Sequence, residues 1–117
     1  MPKTALDVLM FLANNPEFNT AGDVCRYRNI KAALVSFHVE KLVEAGFVER
    51  QAVKGDRRKC RLVCTEKAQP VIKEGRELQK KFAQKLIAGF SDDDMAHFKK
   101  CLHIVSDNID SILKECL

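Results

Sequence analysis

No run of apolar residues in this chain approaches the roughly 20 that a membrane-spanning helix requires. The longest, Val8 to Ala13, follows Asp7 and is too short for the core of a secretory signal. With no targeting segment, the expected compartment is the cytoplasm. Only five glycines and three prolines occur in 117 residues, which excludes collagen and low-complexity architectures. Disorder is excluded by the opposite excess, since 46% of the residues are apolar against 31% charged. The five cysteines are an odd number at irregular spacing (25, 60, 64, 101 and 116), so they read as thiols rather than as a disulfide framework. Catalytic signatures are missing as well. There is no glycine-rich phosphate loop, no metalloprotease pair and no nucleophile elbow, and His38, His97 and His103 stand in no context that marks a catalytic base. The chain is not expected to be an enzyme or to hold a cofactor.

What is present fits one domain, or one small domain with an extension. A chain of this size buries roughly 65% of its unfolded surface and folds without staples. Its net charge of +4 is unevenly placed. Residues 1–65 hold 11 Lys/Arg against 7 Asp/Glu, whereas residues 66–117 hold 9 of each. The stretch Arg26–Arg61 alone holds 10 against 4. Such an asymmetry is expected if the first half meets a polyanion and the second meets protein, although a solvated basic face has the same composition.

The pattern predicts a succession of elements. Thr4-Ala-Leu-Asp7 has the form of a capping box and opens a helix to about Asn14, apolar nearly all round. Thr20-Ala-Gly-Asp23 is a second box, opening a short helix to about Arg28. A third helix runs from Lys31 to Ala45, with Asn29 as a candidate cap. Val35, Val39 and Leu42 make its buried stripe, and Ala33, Phe37, Glu40 and Glu44 its opposite face. His38 falls at the boundary of that stripe. Gly46 stops the helix where a left-handed residue is wanted. The period then changes from 3.6 to 2. Phe47–Val53 reads as a strand, Lys54–Arg58 as a turn and Lys59–Cys64 as the returning strand, with Cys60, Leu62 and Cys64 on one face. Thr65 caps a long helix from Glu66 to Ala88, with Val71, Leu78, Phe82 and Leu86 as its main stripe; Gly89 and Phe90 break it. Ser91-Asp-Asp-Asp94 is a third box. It opens a final helix on which Met95, Phe98, Leu102, Val105, Ile109, Ile112 and Cys116 recur at alternating spacings of 3 and 4. That repeat is a helix-packing seam, within a chain or between chains. Helix, helix, helix, hairpin is the winged helix-turn-helix order.

At Gly46–Ala68 the pattern becomes specific. Gly46-Phe-Val-Glu-Arg50 closes the third helix, Asp56-Arg-Arg58 follows, and Thr65-Glu-Lys-Ala68 comes seven residues after Arg58. This resembles the wing signature of the MarR family of transcriptional regulators, closely over residues 20–68 and in element order over 4–117. Gly55 supplies a turn of little bulk, and Asp56 can orient an arginine by a charge-assisted pair. The resemblance implies that Arg58 is that structural partner and that Arg57 is free to reach the minor groove or phosphates. It further implies a homodimer that places the third helix in the major groove of double-stranded DNA. The base-reading positions are then Lys31, Ala32, Ala33, Ser36, Phe37 and Lys41. Phosphate contacts would come from Arg26, Arg28, Lys54, Arg57 and Lys59. Phe37 departs from the polar or basic residue usual there; it either presses on a thymine methyl or packs on the neighbouring helix. Cys64 and Ala68 stand where leucine and glycine are usual. The helix that usually opens the family is not seen at the front, so the chain reads either as a short form or as a cut-down one, and in either case dimerisation is expected to rest on residues 66–117.

Other chemistry weighs less. Ser36-Phe-His-Val39 also resembles the recognition helix of ArsR-type metal sensors, but the cysteine pair of that family would fall on Thr20 and Gly22, neither of which supplies a thiolate. Asp93, His97 and Cys101 stand at i, i+4 and i+8 on the last helix, a row that fits a polar flank better than a metal site. Cys60 and Cys64 are about 13 Å apart at strand rise and cannot bridge each other. Cys25 lies near Arg26 and Arg28, which favours thiolate, yet a lone buried cysteine is usually a small hydrophobe. A winged helix serving protein partners without DNA is the alternative of a different class; it has no need of the Arg57, Arg58, Lys59 cluster.

The expected architecture is therefore mainly helical with a small hairpin wing. Residues 1–65 form a winged helix-turn-helix DNA-binding domain and residues 66–117 a helical dimerisation region. Met95, Phe98, Leu102, Val105, Ile109 and Ile112 are the expected dimer seam. The expected function is transcriptional regulation, by repression or by activation, on a palindromic operator with half-sites about one helical turn apart. The resemblance also implies a small, often aromatic or anionic effector bound between the two parts, with Leu9, Phe11, Leu12, Arg26 and Tyr27 as its candidate wall. No metal and no membrane partner are expected.

Overall fold

Five helices and a two-stranded hairpin make up the chain in a computed structural model, which describes residues 1–116 and all their side chains except those of Arg57 and Arg58. Helix α1 spans Lys3–Asn14. Thr4 does not cap it. The helix begins two residues earlier, at Pro2, whose carbonyl accepts from Leu6 N–H at 3.0 Å. Pro2 is extended (φ −61°, ψ 148°), as an N-cap residue is, and it has no N–H to leave unpaired. Thr4 thus falls inside the first turn, where its hydroxyl has no cap to form.

Helix α2, Ala21–Arg28, has the expected capping box: Asp23 N–H donates to Thr20 Oγ1 at 3.1 Å and Thr20 N–H to Asp23 Oδ2 at 3.3 Å. Asn29 ends this helix in the left-handed region (φ 52°) instead of starting the next. Asparagine tolerates that conformation better than other residues with a β-carbon. Helix α3, Ala32–Glu44, is preceded by Lys31, whose carbonyl accepts from Leu34 and Val35. Its buried face is Val35, His38, Val39 and Leu42. His38 is inside the stripe rather than at its edge, because it lies three residues after Val35 and four before Leu42. Its Nδ1 is buried with no hydrogen-bond partner among the described residues.

Gly46, at φ 82°, closes α3. Its N–H donates to Val43 O and that of Phe47 to Leu42 O, the paired bonds of a Schellman stop. The wing follows at once. Strands β1 (Val48–Val53) and β2 (Asp56–Cys64) pair antiparallel, from Val48 opposite Cys64 to Ala52 opposite Cys60. The register then breaks and resumes at Val53 opposite Asp56, so the turn is only Lys54-Gly55. The second strand begins three residues before the expected Lys59, and residues 57–59 lie in its irregular part.

Thr65 does not cap a helix either. Its hydroxyl donates to Gly46 O, its N–H to Phe47 O, and Lys67 Nζ to Ala45 O at 2.6 Å while standing over the Phe47 ring. The Gly46-Phe47 and Thr65-Glu-Lys67 motifs are thereby two halves of one joint, which ties the end of α3 to the exit from the wing. A 3-10 turn, Glu66–Ala68, leads into α4, Gln69–Leu86. The buried residues of α4 are Ile72 and Gly75, with Val71 half-buried; Leu78, Phe82 and Leu86 of the expected stripe are exposed. Helix α5, Asp92–Cys116, starts at Ser91, whose Oγ accepts from Asp94 N–H while Ser91 N–H donates to Asp94 Oδ2, both at 3.0 Å.

The chain divides into two units, Met1–Lys80 and Lys81–Leu117. The core lies in the first. Val8, Leu9, Val24, Val35 and Ile72 are its largest fully buried side chains, drawn from α1, α2, α3 and α4, with Val48 and Leu62 added from the wing. Leu62 N–H also donates to Asn19 O at 2.7 Å, fixing the wing to the loop before α2. In the second unit, Phe90 meets Phe98 edge-on at 5.5 Å, and no residue of α5 is buried. No helix among the described residues is long and apolar enough to cross a membrane.

Candidate nucleic-acid interface

The stripe that buries one side of α3 determines what the other side presents. With Val35, His38, Val39 and Leu42 turned inward, Ala32, Ala33, Ser36, Phe37 and Lys41 are all exposed, as is Lys31 just before the helix. Phe37 does not pack on a neighbouring helix. It keeps 54% of its surface in water, with Lys41 Nζ 5.6 Å from its ring centroid and His38 edge-on at 5.2 Å. Leu34 beside it is 44% exposed. Arg26 and Arg28 are exposed in the last turn of α2, where cations complement the carbonyl end of the helix. Lys54 at the wing turn and Lys59 on β2 are exposed too. The side chains of Arg57 and Arg58, and with them the expected Asp56–Arg58 pair and the reach of Arg57, lie outside the described residues.

A cleft of about 440 Å³ joins these elements. The first residues of α2, Ser36 and Val39 of α3, and Arg50, Lys59, Cys60 and Leu62 of the wing line it. Ser36 and Lys59 are thus brought to one site by two separate elements, α3 and β2. Arg50 belongs to the same cleft although its sequence position alone did not select it. The signal was the strand alternation, which puts Arg50 opposite Leu62 in the register. The α2 end of the cleft is closed by the capping box, and the Asp23 carboxylate lines it together with the two cations. Such a surface is suited to a duplex: one exposed helix for the groove and a basic wing beside it for the phosphates.

The five residues of the expected effector wall do not share one environment. Phe11 and Tyr27 stack at 6.2 Å, Phe18 adds a tilted contact to Tyr27 at 4.6 Å, and the Arg26 guanidinium stands 5.4 Å from the Tyr27 ring. Leu9 has no exposed surface and Leu12 almost none. Leu12 instead borders a smaller cavity of about 210 Å³, between α1, the wing and α4, with Cys64 and Arg76. Arg76 is fixed there by Asn14 Oδ1 and Ala13 O, both at 3.1 Å. Burial pushes the Cys64 thiol above its ordinary range, and the Arg76 charge offsets this only in part. Among the described residues no group of three or more His, Cys, Asp or Glu side chains is placed to hold a metal ion. Of the expected seam, Met95 is half-buried, and Phe98, Leu102, Val105, Ile109 and Ile112 are exposed.

Comparison with known proteins agrees with this geometry. A model of the MarR family matches residues 1–59, half of the chain. A MarR protein from Peptoclostridium difficile is similar over 98% of this chain and 74% of its own, at 21% identity and a TM-score of 0.74. FabT of Streptococcus pneumoniae, crystallised in complex with DNA, is similar over 96% of this chain and 78% of its own, at 18% identity and a TM-score of 0.69. MepR of S. aureus, also in a DNA complex, covers 93% and 80%, at 14% identity and a TM-score of 0.68. Likenesses at such identities speak to the fold alone. No curated protein sequence matches significantly.

Proposed function

The chain belongs to the MarR family, and on that footing we propose that it is a DNA-binding transcriptional regulator which acts as a homodimer on a palindromic operator. MarR proteins are winged helix-turn-helix regulators and not enzymes. The observation that carries the DNA reading is the shared cleft, where Ser36 of the exposed α3 meets Arg50 and Lys59 of the wing. In this reading α3 enters the major groove by its N-terminal half, while Arg26, Arg28, Lys54, Arg57 and Lys59 contact phosphates. Residues 66–117 provide dimerisation through Met95, Phe98, Leu102, Val105, Ile109 and Ile112. Support comes from the large apolar surface these residues leave in water, five of them from 43% to 56% exposed. A patch of that kind on a helix calls for a partner. A small aromatic or anionic effector is assigned to Phe11, Arg26 and Tyr27 of the expected wall; the stacked rings and adjacent guanidinium suit such a ligand.

The test is binding to a mixed pool of genomic duplexes across salt, with wild type set against Arg57→Ala/Arg58→Ala. Wild type is expected to select a palindrome. The variant is expected to bind more weakly, with a salt slope shallower by about 0.9 for each phosphate that it no longer neutralises. Sedimentation of Ile109→Asp against wild type tests the seam, with a shift from dimer to monomer as the expected result. Absence of DNA binding from a protein that sediments as a dimer would refute the DNA reading.

A further inference from the structure

The exposed face of α3 is poor in groups that hydrogen-bond to bases. Ala33 and Phe37 lie four residues apart, one above the other on the outer face. Ala32, Leu34 and Ser36 flank them, all exposed. Further along the same face come Glu40 and Glu44, which phosphates repel. Only the N-terminal half of α3 can therefore approach a duplex closely, and there the central side chains are a methyl and a phenyl group. The surrounding charge favours a polyanion over a protein partner. Lys31 and Lys41 border the apolar pair, and Arg50 and Lys59 line the cleft that Ser36 shares.

The major groove offers such a face one matching feature. Among the hydrogen-bond donors and acceptors of the base edges there, the C5-methyl group of thymine is the one bulky apolar group, larger than the C5–H of cytosine. A phenyl ring set against an amino or carbonyl edge would leave that edge desolvated and unpaired. Set against a thymine methyl, it buries apolar surface on both partners.

Resting on the DNA-binding reading above, we propose that α3 reads thymine methyl groups, with Phe37 as the specificity-determining residue. Ala33, one turn earlier, is small enough to let the helix come close, and Lys31 and Lys41 orient it from the phosphates. The operator half-site accordingly has a thymine at the position under α3.

The experiment begins with duplexes selected from a random pool by the full chain. The selected duplex is resynthesised with thymine replaced by uracil at one position at a time, which removes the methyl and leaves the hydrogen-bonding edge unchanged. At one or two positions in each half-site, binding is expected to weaken about four-fold, the value of one buried methyl group. Replacing the equivalent position in both half-sites is expected to weaken it about 15-fold. Phe37→Ala is expected to bind the thymine duplex more weakly and to lose the discrimination between thymine and uracil. Its salt slope should match wild type, because the substitution removes no charge. Phe37 is exposed, so the variant is expected to keep the wild-type melting midpoint. Binding indifferent to every uracil substitution, or a Phe37→Ala protein that keeps the thymine preference, would overturn this inference and leave DNA binding standing. Failure to bind any duplex at low salt would overturn both and assign the Phe37 face to a protein partner.

Discussion

Replacing Gly75 with alanine should change sign in its effect on stability according to what stands at Met10. Met10 of α1 lies directly against Gly75 of α4. A β-carbon on Gly75 would lie 2.5 Å from Met10 Sδ and 3.0 Å from its Cε. Met10 is itself buried, so its thioether must rotate within a filled core. Two effects oppose each other. Alanine is favoured over glycine in a helix interior by roughly 0.8–1.0 kcal/mol. Overpacking a core costs about 1–3 kcal/mol, and the flexibility of methionine keeps this to the lower half of the range. In the wild-type background Gly75→Ala is therefore expected to destabilise by about 0–1 kcal/mol. Met10→Ala alone is expected to cost about 2–5 kcal/mol and to leave a cavity facing Gly75. In that background the added methyl meets space instead of sulfur, and Gly75→Ala becomes stabilising by about 1 kcal/mol. The coupling between the two sites is thus about 1–2 kcal/mol. Urea unfolding of the four proteins at one protein concentration measures it, because a dimer's stability depends on concentration. Additivity within about 0.5 kcal/mol, with Gly75→Ala stabilising in both backgrounds, would refute the close approach of Met10 to Gly75.

Thr20→Ala removes one of the two reciprocal bonds of the α2 box and is expected to cost about 1 kcal/mol, read as a lower urea midpoint with an unchanged slope. An equal loss in Thr4→Ala would contradict the start of α1 at Pro2. The start of α5 should respond to acid. The Ser91 backbone N–H, and then its hydroxyl, hold the Asp94 carboxyl below the ordinary carboxylate range. A depressed folded pKa contributes stability above the unfolded pKa, and this contribution disappears as pH falls through the folded value. Amide protection in the first turn of α5 is expected to decline over that acidic interval, and Asp94→Asn to flatten the decline. A profile identical in wild type and Asp94→Asn would argue against the pairing.

The parts of this fold that were legible in the sequence are those decided within a few residues. The Thr20–Asp23 and Ser91–Asp94 boxes form as their spacing implies, and Gly46 takes the left-handed conformation asked of it. The outward face of α3 was legible for the same reason, since one buried stripe leaves Ala33, Phe37, Glu40 and Glu44 outside. Local signals misled where a competitor lay elsewhere. Thr4 has the same spacing to an acid as Thr20 does, but Pro2 starts its helix first. The Thr65 hydroxyl, placed to cap, goes to Gly46 O nineteen residues away. In α4 the period identifies apolar positions without saying what each faces. Ile72 and Gly75 turn to the core of the first unit while Leu78, Phe82 and Leu86 stay exposed. Gly75 has no side chain to appear in a hydrophobic pattern, and its role is visible only as a distance to Met10. Arg50 entered the wing cleft through strand register, which depends on a partner strand about ten residues away.

Apolar side chains stay in water on α3, α4 and α5, and the charge around the first and the last of these separates their partners. On α5, Phe98, Leu102, Val105, Ile109 and Ile112 form a continuous row, and residues 66–117 carry as many acidic as basic side chains. A neutral apolar row of four turns has no reason to attract a polyanion and every reason to pack against another helix. On α3, Leu34 and Phe37 make a smaller patch within a stretch that holds ten cations against four anions. Association of two copies through such a patch would bring those cations together, so like-charge repulsion disfavours it as a self-interface. A duplex has the opposite effect: phosphates neutralise the cations while the thymine methyl covers the ring. The same property, exposed apolar area, therefore points to a helix in one place and to DNA in the other. Salt should act on the two surfaces in opposite directions. Raising ionic strength weakens duplex binding steeply through the cations, yet leaves the α5 association unchanged or strengthens it, because no net charge is neutralised there. Measured on one sample, duplex affinity and dimer association that weakened in parallel with salt would contradict this separation of partners.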